Sequence, residues 1–250
     1  MVTKHGSLDA LWQSAPSTDQ VFEHALLEHL PKPAQRYLKY AIAPYTPLAS
    51  TARLRMHGEI KLKNWLPFQA EQVICWNHGM VWQATTWMRG LPVFGADRLV
   101  DGAGSMEWKL LGLFPVMKAS GDDVTRSGIG RMLGECVWLP SVLCNPKVTT
   151  WSAPDDNHAH ATLGLGHETT ELMITISETG RPEQVCFRRW GNPDGEAHHY
   201  ATFGCYLERE GKFAGYTVPT QIRAGWHFGT DRFESQGEFF RATVDAVTYR

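Results

Sequence analysis

The feature that most constrains this chain is a hydrophobic period of two that keeps returning. Leu54, Met56, Ile60 and Leu62 alternate with Arg53, Arg55, His57, Glu59, Lys61 and Lys63. Successive strand side chains point to opposite faces, so this run predicts a strand with one buried and one wet face. Asn64 to Pro67 reads as a turn, after which Phe68, Ala70, Ile74 and Trp76 resume the pattern. Asn77-His78-Gly79 is a hairpin signal ahead of Met80 to Met88. Gly90, Pro92, Gly95, Gly102 and Gly104 punctuate short strands through Leu113, and after Pro146 the period returns at Leu172-Ile174-Ile176, Val185-Phe187, Tyr200 to Leu207, Ile222 to Phe228 and Gly237 to Tyr249. The last strand is expected to set Phe240, Ala242, Val244 and Ala246 on one face. With no helix alternating with these strands, the pattern is an antiparallel meander rather than a parallel βαβ sheet.

Three helices are expected. Thr18 and Asp19 are read as caps of a helix carrying Val21, Phe22, Ala25, Leu26 and Leu30, preceded by an irregular lead-in. Pro33 opens a second helix with Tyr37, Leu38, Ala41 and Ile42 on one side. The third interrupts the β pattern: Asp122 and Asp123 as caps, Ile129, Met132, Leu133, Cys136 and Val137 as one apolar face, and an end before Pro140. Its Gly128, Gly130 and Gly134 each weaken it by about 1 kcal/mol relative to alanine, which suits either a movable lid or close packing on a strand. The expected architecture is a single, mainly β domain over residues 1–250, with a helical lead-in over 1–49. Residues 50–250 form an antiparallel sheet curved into an open or half barrel. The helix at about 122–139 covers its concave face, and the N-terminal helices pack outside or at one end. A two-sheet sandwich is the alternative; a helix touching many strands selects the half barrel.

Composition removes several functions. The 24 basic and 26 acidic side chains give a net charge of −2, without the basic surplus of a nucleic-acid binder. Five cysteines, odd in number and with no CxxC pair, read as free, mostly buried thiols in a reducing compartment. The N-terminus has no continuous apolar run of the secretory kind, and no segment reaches the roughly 18 apolar residues of a membrane span. A cytoplasmic protein without cofactor or membrane span is expected. No GxSxG elbow occurs, and Gly102-Ala103-Gly104 and Gly128-Ile129-Gly130 lack the lysine of a phosphate loop. His158 and His160 share a strand face and His198 and His199 oppose each other, but neither pair has zinc-site spacing, so no metal is expected.

The informative polar set is on the third helix. Arg131 and Glu135 are four apart, and Arg126 lies on a neighbouring flank. They form either a solvated face or the polar end of a partly wet cavity. Ten tryptophans are spread over strands and helix. Trp82 and Trp87 differ by an odd number, so both faces of their strand need a cover. The candidate ligand-binding residues are Arg126, Arg131, Glu135, Trp138, Trp87, Trp108, Trp190, Tyr216 and Trp226; none is assigned a catalytic role.

The run RSGIGRMLGECVWLPSVL (Arg126 to Leu143), with RWG (Arg189 to Gly191), GYTVP (Gly215 to Pro219) and Gly225-Trp226, resembles an uncharacterised bacterial family of unknown function. More distantly, a curved antiparallel sheet enclosing a helix resembles the lipoprotein-carrier half-barrels of the LolA and LolB type. That likeness implies acyl chains held in the concave face; those carriers are exported, whereas no signal segment is read here. The expected function is therefore non-enzymatic binding of an apolar or amphipathic small molecule in a concave β cavity. The alternatives are an enzyme using Glu135 with Arg126 or Arg131 in that cavity, and a purely structural domain.

Overall fold

The computed structural model describes residues 6–16, 18–76 and 78–250. Among the described residues, thirteen strands form one antiparallel sheet. The first arm runs β1 Thr51–Lys61, β2 Trp65–Cys75, β3 Gly79–Met88, β4 Leu91–Val100, β5 Ala103–Leu110 and β6 Phe114–Ser120. The second runs β7 Thr149–Ser152, β8 His158–Leu165, β9 Glu168–Ile176, β10 Pro182–Gly191, β11 His199–Phe213, β12 Tyr216–Trp226 and β13 Glu238–Tyr249. Each arm is a meander, and they join where β1 pairs with β13, giving the order β6-β5-β4-β3-β2-β1-β13-β12-β11-β10-β9-β8-β7. The edges β6 and β7 do not pair, so the sheet stays open.

Residues 121–148 must carry the chain from one edge to the other, and they do so across the sheet. Gly121 turns the chain off β6 at φ 106°, ψ −171°, a conformation only glycine adopts freely. It, and not Asp122 or Asp123, occupies the N-cap of α3 (Asp122–Gly134); the two aspartates lie in the first turn, where they complement the helix dipole. A 3-10 turn, Glu135–Trp138, follows. The helical course is broken at Leu139, and α4 (Pro140–Leu143) begins at the proline expected to end it. Numbering the two short helices ahead of β1 as α1 and α2, α3 packs against β4, β5 and β6 of one arm and β8, β9 and β10 of the other. A helix touching six strands from both arms fits an open half barrel and not a sandwich.

The lead-in differs from expectation. Residues 6–16 hold α1 (Leu8–Gln13), N-capped by Ser7, whose Leu8 and Leu11 pack on Val73, Cys75 and Val81. The expected helix from Thr18 is instead mostly extended, with a single 3-10 turn at His24–Leu27. Its backbone bonds across the chain, Phe22 N–H to the Thr46 carbonyl and Tyr45 N–H to that of Phe22, both 2.8 Å. α2 (Lys32–Ala41) forms as expected around buried Tyr37 and Leu38, but Ile42 leaves it to bridge Tyr216. In β13 a bulge opposite Arg55 and Met56 moves the buried series from Val244 to Val247, so Ala246 leaves the face it was expected to share. Asn77 of the hairpin signal lies outside the described residues; the β2–β3 hairpin around it forms with Cys75 opposite Gly79. No helix among the described residues is long and apolar enough to cross a membrane.

Candidate functional site

Alternation decides what faces the concave side. Gln72 pairs with Trp82, Trp82 with Asp97, and Phe187 with Phe203, which in turn pairs with Trp226. These positions look at α3 and the 3-10 turn after it, whose Met132, Leu133 and Cys136 are fully buried in the core they share. Toward the flank where α3 does not reach, the inward apolar side chains stay half-buried: Ile60, Trp108, Phe203 and Phe240, with Trp226 beside them. Phe203 and Trp226 meet edge-on at 5.2 Å, and Phe68 stacks on Phe240 at 5.1 Å. The result is an aromatic trough along one side of the helix.

A largely buried polar network borders it. Arg131 bridges Asp97 at 3.0 Å and Glu135 at 2.8 Å, with its guanidinium 5.1 Å from the Trp82 ring. Glu135 also accepts from Gln72 Nε2 at 2.5 Å, and Asp97 from Trp108 Nε1 at 3.3 Å. Burial raises the Asp97 carboxyl above its ordinary range, opposed by Arg131. Burial pulls the Arg131 guanidinium down, but Glu135 and Asp97 more than offset it and hold it high. Trp82 Nε1 and Gln72 Oε1, opposite each other in register, are buried with no hydrogen-bond partner among the described residues.

Arg189 is the residue the sequence reading missed. It shares the inward face of β10 with Val185 and Phe187 and runs beneath α3, its Cγ 3.3 Å from where a Cβ on Gly130 would be. Its guanidinium lies 4.8 Å from the Phe203 ring and 5.5 Å from Trp226, and among the described residues it hydrogen-bonds only the Ser127 carbonyl and hydroxyl, each at 3.4 Å. No carboxylate pairs with it among the described residues. Burial, and then the like charge of Arg131, pull it down to about 10. A charged residue on an otherwise apolar strand face was the available signal.

The other predicted residues do not join this group. Arg126 faces solvent: it pairs with Glu168 at 2.9 Å, donates to the Tyr200 hydroxyl at 3.1 Å and stacks 3.7 Å from the Trp190 ring. Trp190 Nε1 donates to Asp123 at 2.8 Å. Arg126 lines a separate cavity of about 590 Å³ on the opposite flank of α3, with Leu99, Ile129, Leu165 and Glu168. The three charged helix residues therefore do not converge. Trp138 and Tyr216 are buried structural rings; Trp138 Nε1 donates to the Pro219 carbonyl at 2.9 Å, and the Tyr216 hydroxyl donates to that of Pro47 at 2.6 Å and accepts from Ala49 N–H at 2.9 Å. Trp87, five positions from inward Trp82, points to the convex side. His158 lies beside Asp155 at 2.8 Å and His160 beside Glu171 at 3.7 Å, and among the described residues no group of three or more His, Cys, Asp or Glu is arranged for a metal.

The fold and this face define an open antiparallel half-barrel with a helix laid across its concave side. Within that class the chain belongs to DUF6920, a family of unknown function, which it matches over residues 28–249. No curated protein matches it. Among solved structures similar in fold are two of distant sequence. One is a putative outer membrane lipoprotein-sorting protein domain from Vibrio parahaemolyticus, 9% identical, with a TM-score of 0.42 over 80% of this chain and 86% of that one. The other is a LolA superfamily protein from Nitrosomonas europaea, 9% identical, with a TM-score of 0.43 over 87% of this chain and 92% of that one.

Proposed function

We propose that this protein binds an amphipathic small molecule with an anionic head, its apolar part lying in the aromatic trough and its head group meeting Arg189. One observation carries the reading: a partly buried guanidinium with no carboxylate partner among the described residues stands over two inward aromatic rings that are themselves only half-buried. Apolar surface left uncovered inside a concave face favours an apolar occupant. A buried cation lacking a counter-ion favours an anionic one. The orphaned Trp82 Nε1 and Gln72 Oε1 lie on the same face and add a donor and an acceptor.

Native mass spectrometry of the purified protein, followed by organic extraction, asks whether such a molecule travels with it. Titration with a fluorescent fatty acid and with its neutral methyl ester tests the head group. Arg189→Met should weaken the acid by tenfold or more, the scale of a hydrogen bond to a charged group, and leave the ester nearly unchanged. Trp226→Ala should weaken both. A protein that carries no ligand and binds neither probe refutes the reading. Equal loss of acid and ester in Arg189→Met refutes the head-group assignment alone.

A further inference from the structure

A second apolar surface lies outside the trough. In a meander alternate turns share an end, so the β1–β2, β3–β4 and β5–β6 turns form one end of the first arm. Those turns and the strand ends beside them expose Leu62 (56%), Met88, Leu91, Leu111, Leu113 (74%) and Phe114 (60%), and the edge strand β6 adds Val116 and Met117. An exposed apolar cluster of this kind marks an interaction surface. Segments 60–66, 86–95 and 108–118 contain Lys61, Lys63, Arg89, Lys109 and Lys118 and no Asp or Glu, within a chain of net charge −2. The nearest carboxylates along these strands are Glu59 and Glu107, and Glu107 pairs with Lys109 at 3.3 Å.

The tips also have defined turn geometry. Arg89-Gly90 and Leu111-Gly112 have φ of 51° and 81°, and of 54° and 72°, the left-handed pairs of tight hairpin turns. Leucine rarely adopts this conformation, and here it holds an apolar side chain out into solvent.

We propose that this end of the first arm docks on an anionic phospholipid surface, with the turn-tip Leu, Met and Phe side chains entering the acyl boundary. The lysines and arginine are placed to reach the lipid phosphates, with half-buried Trp65 and Trp87 at the headgroup level. Charge decides between a bilayer and a second copy of the chain. A two-fold contact would set this patch against itself, opposing its cations, above all Lys61, Lys63 and Arg89, to their own copies. An anionic membrane meets all of them with the complementary sign, each strengthening binding about fivefold.

Sedimentation with phosphatidylcholine vesicles, with and without phosphatidylglycerol, tests this independently of what occupies the trough. The wild-type chain should bind the phosphatidylglycerol vesicles and release from them as salt is raised. Leu113→Asp/Phe114→Asp and Lys63→Glu/Arg89→Glu alter only exposed side chains, so both should keep the wild-type melting temperature while losing at least tenfold in vesicle affinity. Wild-type protein that ignores both vesicles, or an unaffected Leu113→Asp/Phe114→Asp variant, overturns the proposal. So does a wild-type dimer without vesicle binding that this variant converts to monomer, since the occupant is then a second copy.

Discussion

Arg126 and Arg131 lie five positions apart on α3, and each holds a glutamate, Glu168 at 2.9 Å and Glu135 at 2.8 Å. Their surroundings make these pairs different objects. Arg126 keeps its guanidinium in water over Trp190, where an ion pair adds little. Arg131 is enclosed by Asp97, Glu135 and the Trp82 ring, where each charge depends on the others for its solvation. The glycines of the helix divide the same way. A Cβ on Gly128 would meet Leu99 at an ordinary 3.7 Å, while one on Gly134 would fall 2.4 Å from the Phe187 ring. The start of α3 is itself seated closely on β5, where a Cβ on Gly104 would fall 2.6 Å from the Thr125 backbone, but the Gly128 site has room for a methyl and the Gly134 site has none, which favours close packing over a freely moving lid at Gly134.

The sharpest way to break this contrast is to truncate both arginines. Arg131→Met strands Asp97 and Glu135 inside the protein and should destabilise it by about 3–5 kcal/mol in urea unfolding. Arg126→Ala should leave the unfolding midpoint near wild type. Asp97 already has a raised carboxyl pKa, and an acid raised in the folded state loses stability as pH climbs through that value. The Arg131→Met deficit should therefore be larger at pH 8 than at pH 5. Equal losses from the two truncations would show that the network is not buried as described.

Next in size is Gly134→Ala. Its methyl has no room beside Phe187, and overpacking of this kind costs about 1–3 kcal/mol. Phe187→Leu in the same chain should recover part of that loss, since the ring is what the methyl strikes. A Gly134→Ala protein as stable as wild type would reinstate the lid.

How much of this contrast the sequence could reveal depends on what alternation reports. It places Leu54, Met56, Trp82 and Phe187 correctly, because each lies on a strand with one buried face. It fails at β6, where Phe114 to Lys118 are all exposed and no face is buried to set a phase. It fails at the β13 bulge, where one extra residue reverses the phase without changing composition. α1 is too short to display a helical period. For Arg131 and Glu135 the i,i+4 spacing pointed to the pair but not to Asp97, which reaches it only through the β3–β4 register. Trp138 and Tyr216 carry a polar handle that finds a backbone carbonyl deep in the fold, and nothing local in the chain distinguishes that from a ligand-facing ring.

Arg189 sharpens the comparison from the other side, as an enclosed cation without the pairing that stabilises Arg131. Its pKa of about 10, against an ordinary 12.5, costs the folded state about 3 kcal/mol at neutral pH. Arg189→Met should accordingly stabilise the protein by about 1–2 kcal/mol, part of the gain being offset by lost packing of the arginine stem and loss of its contacts with Ser127. A base weakened in the folded state carries its full penalty below its folded pKa and sheds it only as pH rises toward the unfolded value. The gain should then be flat from pH 6 to pH 9. Loss of stability would show that Arg189 is a structural partner of the network rather than a cation held for a ligand.

The smallest effect belongs to Gly128. It has helical backbone, and its added methyl would touch only the Leu99 side chain at 3.7 and 3.8 Å. Alanine narrows the unfolded ensemble and favours the helix, together worth about 0.5–1 kcal/mol. Gly128→Ala should raise the melting temperature while Gly134→Ala, six residues along the same helix, lowers it. That opposite sign is the informative result, because intrinsic helix propensity is identical at the two positions and only the distance to the sheet differs. If both variants stabilise, helix propensity governs both sites and the Gly134 site is looser than the Phe187 contact implies. If both destabilise, the Gly128 site is as tight as the Gly134 site, and the contrast between the two glycines fails.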